Sequence, residues 1–456
     1  MNRRPNILLF FPDQHRGDWT GYRGGPVETP NLDALAARGQ VFNNALTPSP
    51  LCSPARACLA AGKAYDAQAV RHNQHDVDPA EPNIYQALRD AGYAVLGCGK
   101  FDLLKGAMDW GEDGRHDGAL GDLGFTTGID SAGKHDFVTA HGRGRAEPFQ
   151  AFLDQHGLLD AHLLDYVDRT GVDNRMYTNT GPTPLPDYAY CDNWIAGNGL
   201  ALLDQVGDGP WFLQVNFNGP HEPMDITAAM HERMAGREFP APHASDQYTP
   251  HAHQAIRACY AAMIENIDDH LGRYVDALAQ RGELEETIIV YSSDHGEMLG
   301  DHERWGKVVP YQPSVHIPLV MAGPGIDAQP ACGDWVDLVD LAATLMDFAS
   351  AERPTGSTGR NLTTDRLDGH RSTGLGTWRA IYHGTMKYVH NFARETQGWG
   401  VAGSFDADPD APGLLFDLAE DPWERRDIAQ SDRAGARRMR DALLAEIGPR
   451  RGPQRS

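Results

Sequence analysis

Four short apolar runs, at residues 7–11, 93–97, 211–217 and 287–291, each break off into a knot of polar residues, and segments of helical character lie between them. Runs this short and this predominantly apolar read as strands of a parallel sheet covered on both faces. The polar knots then gather at the carboxyl ends of the strands, where open α/β sheets place their ligand sites. The predicted fold is therefore α/β, with a large, mostly parallel central sheet flanked by helices. Its edge offers Asp13 after the first run, Lys100 and Asp102 after the second, His221 after the third, and Asp294 with His295 after the fourth.

Between the first two runs lies residues 51–62, LCSPARACLAAG. Pro50 and Pro54 suit the mouth of a helix, where first-turn N–H groups have no partner, and Gly62 suits its end. Cys52 then sits at a helix N-terminus with Arg56 one turn further on. Free N–H groups and a guanidinium attract an anion, so Cys52 and an anionic oxygen can meet. A polar loop at 71–75 follows, in which Asn73 is a candidate substrate contact. His72, His75, His135 and His141 are pocket candidates without a role.

Helices are expected at 29–39, capped by Thr29, and at 81–91, 192–203, 254–281 and 336–348; a further strand is expected at 317–321. Residues 105–150 lack clear periodicity and read as a long loop or insertion over one face with some unplaced short elements inside it, and 226–253 read as a variable loop. Another polar loop at 301–307 carries Lys307. Pro, Thr and Gly dominate from 352 to 369, which divides a catalytic domain at 1–360 from a smaller C-terminal α+β region at 361–456. That region should hold strands at 378–382, 386–390 and 414–417, a charged helix at 429–446 and a frayed Arg/Gly/Pro-rich end.

The chain has 40 Lys and Arg against 63 Asp and Glu, a formal charge of −23, which disfavours nucleic acid as a partner. A small anionic substrate would need local cations. The apolar run at 7–11 is too short for a membrane span or a secretory segment, so no membrane association is expected. Six scattered cysteines without metal-site spacing fit a reducing compartment, and a cytoplasmic location is expected. A homo-oligomer is a general expectation only.

Together these motifs resemble the type I, formylglycine-dependent sulfatases of the alkaline phosphatase superfamily, with features of their phosphonate monoester hydrolase relatives. The likeness rests on Cys52-Ser53-Pro54-Ala55-Arg56, with Ala61 in place of the common Thr before Gly62. It extends through residues 5–13 and 29–39, Gly99-Lys100, Asp294-His295-Gly296, Gly306-Lys307, and Leu415-Phe416-Asp417-Leu418 with Asp421-Pro422. The resemblance implies an alkaline-phosphatase-like fold and hydrolysis of a small-molecule sulfate monoester through a covalent formylglycine-sulfate adduct. Cys52 would be oxidised to formylglycine by a formylglycine-generating enzyme, although an unmodified thiolate there would also be a nucleophile. Asp13, Cys52, Asp294 and His295 would hold one divalent ion, Ca2+ or Mn2+, with Mg2+ possible. Arg56, Lys100 and Lys307 would match the charge of the transferred group, and His221 would protonate the leaving oxygen, together with Lys307.

Three positions depart from the sulfatase pattern. Asp13 is followed by Gln14 rather than a second carboxylate, which favours manganese. His295 stands where an Asn is common, as in phosphonate and phosphodiester hydrolases. The usual Gly-Lys-x-His is Gly99-Lys100-Phe101-Asp102, which leaves Asp102 open as a base, an orienting group, a contact for a cationic substrate or a partner of Lys100. Hydrolysis of a phosphonate monoester or phosphodiester with the same nucleophile is the alternative activity. A metal-dependent transferase or phosphomutase and a noncatalytic anion-binding protein stand behind it.

Overall fold

The computed structural model describes residues 4–447 except 115–117, 172, 395–402 and 404. Its Arg/Gly/Pro-rich end, expected to fray, lies outside the described residues. β1 (Asn6–Phe11) is buried at every position, as its unbroken apolar run demands. It lies between β5 (Trp211–Asn216) and β6 (Thr287–Ser292), parallel to both. On the far side of β5 come β3 (Ala94–Gly99) and β4 (Thr127–Asp130), also parallel. Beyond β6 the sheet turns mixed. β8 (Leu319–Ala322) is antiparallel to β6 and to β2 (Gln40–Leu46), while β2 also pairs with β7 (His316–Ile317) and with β9 (Cys332–Asp337). Nine strands thus form one sheet.

Helices cover both faces: α1 (Pro30–Ala37), α2 (Cys52–Ala61), α3 (Ile84–Asp90), α8 (Cys191–Leu203), α10 (Pro250–Gln280) and α12 (Leu338–Ala349). Side chains alternate along β1, so Leu8 and Phe10 join a core under α8 and α10, whereas Ile7, Leu9 and Phe11 join one under α3 and α12. Thr29 precedes α1 as expected, but its hydroxyl donates to Asp33 Oδ1 rather than accepting from the helix.

The region 105–150 holds the short elements expected inside it, which its sequence could not place. It contributes α4 (Ala119–Asp122), the edge strand β4, α5 (Lys134–Gly142) and the start of α6 (Pro148–Gln155), and α7 (Leu159–Thr170) follows. α5 has almost no segregated apolar face, so periodicity could not reveal it. Residues 226–253 include α9 (Ala228–Arg233) and the first turn of α10, which Thr249 caps. The helix expected from 336 begins at Leu338, because Val336 and Asp337 end β9 and Asp337 forms a capping box with Asp340.

After α11 (Gln312–Val315) and α12, a second sheet of β10 (Arg371–Leu375), β11 (Trp378–His383), β12 (Met386–His390) and β13 (Gly413–Asp417) is antiparallel throughout, with α13 (Arg433–Ile447) against it. One core cluster contains Leu46, Leu51 and Met298 of the large unit together with Leu375, Trp378 and Phe416 of the small one. No described helix is long and apolar enough to cross a membrane.

Candidate active site

α2 begins at Cys52 and ends at Gly62, whose φ of 63° is the left-handed conformation a glycine adopts without strain. Leu51 has no side chain with which to cap the helix. Asn73 does so from the neighbouring loop, its Oδ1 accepting from Ser53 N at 3.1 Å. Cys52 Sγ is then set 3.3 Å from His295 Nε2, 3.6 Å from Lys100 Nζ and 3.9 Å from Asp13 Oδ1. Donor atoms of Asp13, Cys52, Asp294 and His295 all lie within 4.8 Å of one another, and all four residues are buried.

Three strand exits and α2 meet here. Asp13 follows β1, Lys100 follows β3, and Asp294 with His295 follows β6. Arg56 joins them from below the surface: its Nε donates to Asp294 Oδ2 at 3.0 Å, and its two terminal nitrogens reach Asp13 Oδ2, the Lys100 carbonyl and Asn216 Oδ1. Lys100 Nζ also donates to Asp13 Oδ2.

Charge in this cluster is strongly unequal. Burial favours a neutral Asp13, but Lys100 and Lys307 reverse that and hold its carboxyl well below the usual range. Burial and the neighbouring Asp13 push Asp294 up instead. Burial and Asp13 oppose the Cys52 thiolate, yet Lys100, Lys307 and His295 bring the thiol down to about 6. Burial pushes His221 down to about 3, so its ring is neutral near pH 7, with Nδ1 2.7 Å from the Glu222 carbonyl.

A cavity of about 530 Å³ opens over Cys52. Lys100, Lys307, His221 and Asn73 lie on its wall, so these four predicted residues share one space. Asp102 and Arg56 are buried behind it. Asp102 Oδ2 stands 3.2 Å from Lys105 Nζ and 3.5 Å from Lys100 Nζ, and despite burial these ammonium groups hold it at about 2. Of the four histidines left without a role, His135 lines the cavity; the rings of His72 and His75 lie against each other, tilted by 42°, with centres 3.6 Å apart.

Sequence reasoning missed the contacts of Gln14 and the presence of Lys134 and Asn216 in this site. The Gln14 side chain bridges a lysine and two acids: Oε1 accepts from Lys307 Nζ at 2.6 Å, while Nε2 donates to Glu222 Oε2 at 2.6 Å and to Glu297. Lys134, at the start of α5, donates to the His221 and Pro223 carbonyls and pairs with Asp225 at 2.6 Å. Asn216 ends β5, and its place at a strand exit was the available signal. Lys134 gave none, since its helix carries no readable pattern.

A sequence profile described as Sulfatase matches residues 5–351. Among curated proteins, an arylsulfatase of Clostridium perfringens is 26% identical over 97% of this chain and 94% of its own length. The multifunctional alkaline phosphatase superfamily protein PehA of Trinickia caryophylli is 26% identical over 96% of this chain and 93% of its own. Among solved structures, the phosphonate monoester hydrolase of Agrobacterium radiobacter superposes with a TM-score of 0.75, covering 97% of this chain and 95% of that one at 24% identity, a likeness in fold. With the Cys52 cluster assembled at the carboxyl edge of such a sheet, the chain belongs to the sulfatase family of the alkaline phosphatase superfamily and is a sulfuric ester hydrolase.

Proposed function

We propose that the protein hydrolyses a small-molecule sulfate monoester to an alcohol and inorganic sulfate, with a formylglycine formed from Cys52 as nucleophile. The observation that carries this reading is the Cys52 side chain, at a helix mouth and on a cavity wall, with Lys100 Nζ and His295 Nε2 within 3.6 Å of its sulfur. That sulfur stands in for the hydrate oxygen of the mature residue. The hydrate oxygen attacks sulfur, the alcohol leaves, and loss of a proton from the second hydroxyl expels sulfate and restores the aldehyde.

Two carboxylates, an imidazole and the position-52 oxygen fit a single divalent ion, and Asp13, Asp294 and His295 would hold it beside residue 52. Such an ion, when bound, lowers the pKa of the hydrate and screens the sulfate oxygens. With Gln14 in place of a second carboxylate and an imidazole as the last donor, the set has fewer anionic oxygens, which favours Mn2+ over Ca2+.

Lys100 and Lys307 face the sulfate oxygens. Arg56 acts one step back by fixing both carboxylates, and Asp102 orients Lys100. His221 and Lys307 meet the departing oxygen, and negative charge on a bound substrate favours the protonated form of His221. Because Cys52 is only 1% exposed, a formylglycine-generating enzyme would have to act before folding is complete. Six unpaired cysteines support a reducing, cytoplasmic setting.

A second reading, phosphonate monoester or phosphodiester hydrolysis with the same nucleophile, is favoured by His295 and by Asp102 in place of a histidine. Peptide mass spectrometry of residue 52 from matured protein, with matched sulfate and phosphonate esters assayed on the same sample, tests both. Aldehyde with faster sulfate release supports the first reading. Faster phosphonate turnover promotes the second, and active protein carrying only thiol overturns the formylglycine mechanism.

A further inference from the structure

A second set of donors lines the cavity apart from the Cys52 cluster. His135 comes from the first turn of α5, while His221 and Glu222 come from the loop after β5. One ligand atom from each lies within 4.8 Å of the other two. His135 Nε2 is 3.9 Å from Glu222 Oε1, and His221 Nδ1 is 3.3 Å from Glu222 Oε2 and 2.7 Å from the Glu222 carbonyl oxygen, a contact that an ion on Nδ1 would displace. All three residues face the same cavity, so a cation there would have protein on one side and open space for water or a substrate oxygen on the other.

The supporting contacts are those of a metal-binding imidazole. His135 Nδ1 is 2.7 Å from the Tyr166 hydroxyl, which orients the ring and leaves Nε2 turned toward Glu222. Ligating histidines characteristically use their other ring nitrogen in this way. Glu222 is held by Gln14 at its other carboxylate oxygen, and the backbone of the His221 loop is pinned by Lys134. The ammonium of Lys134 is itself neutralised by Asp225. Closing the triad on an ion requires the longest of the quoted distances to shorten, and this falls on His135, whose side chain is 32% exposed and the freest of the three.

We propose that His135, His221 and Glu222 bind a borderline-soft divalent cation of the Zn2+ class, and that its binding inhibits the enzyme by taking His221 away from the leaving oxygen. Two imidazoles and one carboxylate with an open position suit Zn2+ or Co2+ far better than Ca2+ or Mg2+. Hard cations therefore choose the Asp13 cluster, and the two sites differ in preference. The inhibitory consequence rests on the sulfatase reading; the binding does not.

The test uses matured protein preloaded with Mn2+. Equilibrium dialysis should find one additional equivalent of Zn2+, and Co2+ in its place should give the visible absorption of a low-coordinate nitrogen and oxygen site. In His135→Ala and His135→Gln both signals should be lost, and the Zn2+ concentration that halves each variant's own rate should rise at least tenfold. Circular dichroism of both variants shows whether they fold. Zn2+ uptake that is unchanged in folded variants, or uptake and inhibition that excess Mn2+ abolishes, places the ion in the Asp13 cluster and overturns the proposal. Binding that follows His135 in protein without sulfatase activity retains the site and removes only the inhibitory role.

Discussion

The guanidinium of Arg56 has both neighbouring carboxylates and two further acceptors as partners, and its central carbon sits over the ring of Phe11, 5.2 Å from the ring centre. A lysine at this position has the charge but not the fork, so it cannot hold Asp13 and Asp294 at once. Arg56→Lys should therefore lower kcat by about 10²–10³, the scale seen when one preorganised electrostatic contact is lost, and should also weaken Mn2+ binding measured by titration. Gln14 makes the opposite point about charge. Its amide donates to two carboxylates and accepts from Lys307, and Gln14→Glu would put a third acid between Glu222 and Glu297. Burial and Glu222 already push Glu297 up to about 7. The variant should lose roughly 1–3 kcal/mol of stability, the cost of an unsatisfied buried polar group, read by denaturant unfolding.

At the scale of elements, the mouth of α2 depends on a residue outside the helix. Asn73→Ala removes the acceptor for Ser53 N and should cost about 1 kcal/mol of stability, with a lower kcat because residue 52 opens the same turn. Gly99 closes β3 at φ 92°, where an added Cβ would lie 2.0 Å from the Asn216 carbonyl oxygen. Gly99→Ala must push β3 away from β5 and carry Lys100 with it; a drop in Tm together with lost activity is expected. Glu147 caps α6 and also accepts from Ala132 N at 3.0 Å, and burial pushes it from 4.5 up to about 8. Between those values the folded chain holds a proton that the unfolded chain releases. The contribution of Glu147 is thus complete below pH 4.5 and is lost as pH rises toward 8, by a few kcal/mol at most. Glu147→Gln should flatten this part of the Tm against pH curve.

At the scale of the molecule, the small C-terminal sheet closes the core beside α2. Trp378 and Phe416 share a cluster with Leu51 and Met298, and Arg379 pairs with Asp66 just beyond the end of α2. The boundary read at 360 falls between α12 and β10 in sequence but cuts through that cluster in space. A chain ending at residue 360 should therefore be insoluble or lack a cooperative thermal transition, measured by expression yield and calorimetry. A stable, active fragment would show that the cluster is dispensable.

Strand runs, their polar exits and the helix at Cys52 were legible because each is a local pattern: an unbroken apolar stretch, a proline at a helix mouth, a glycine at its end. The same locality brought Asp13, Lys100, Asp294 and His295 forward as candidates, since parallel order alone sends strand exits to one edge. Sequence also favoured an acidic chain without a transmembrane helix. What it could not supply was the direction of side chains brought together from distant segments. Gln14 follows Asp13 in sequence, but nothing local tells that its amide donates to the buried carboxylates at positions 222 and 297, more than two hundred residues away. Asp102 was legible as a charged residue at a strand exit, but its position between Lys100 and Lys105 was not. Lys134 and His135 lay in a stretch without periodicity, and only the packing of α5 over the cavity put them beside His221. Short-range patterns depend on backbone propensity and burial, which neighbouring residues already express; partners separated by more than a hundred residues are chosen by desolvation and charge in the folded interior.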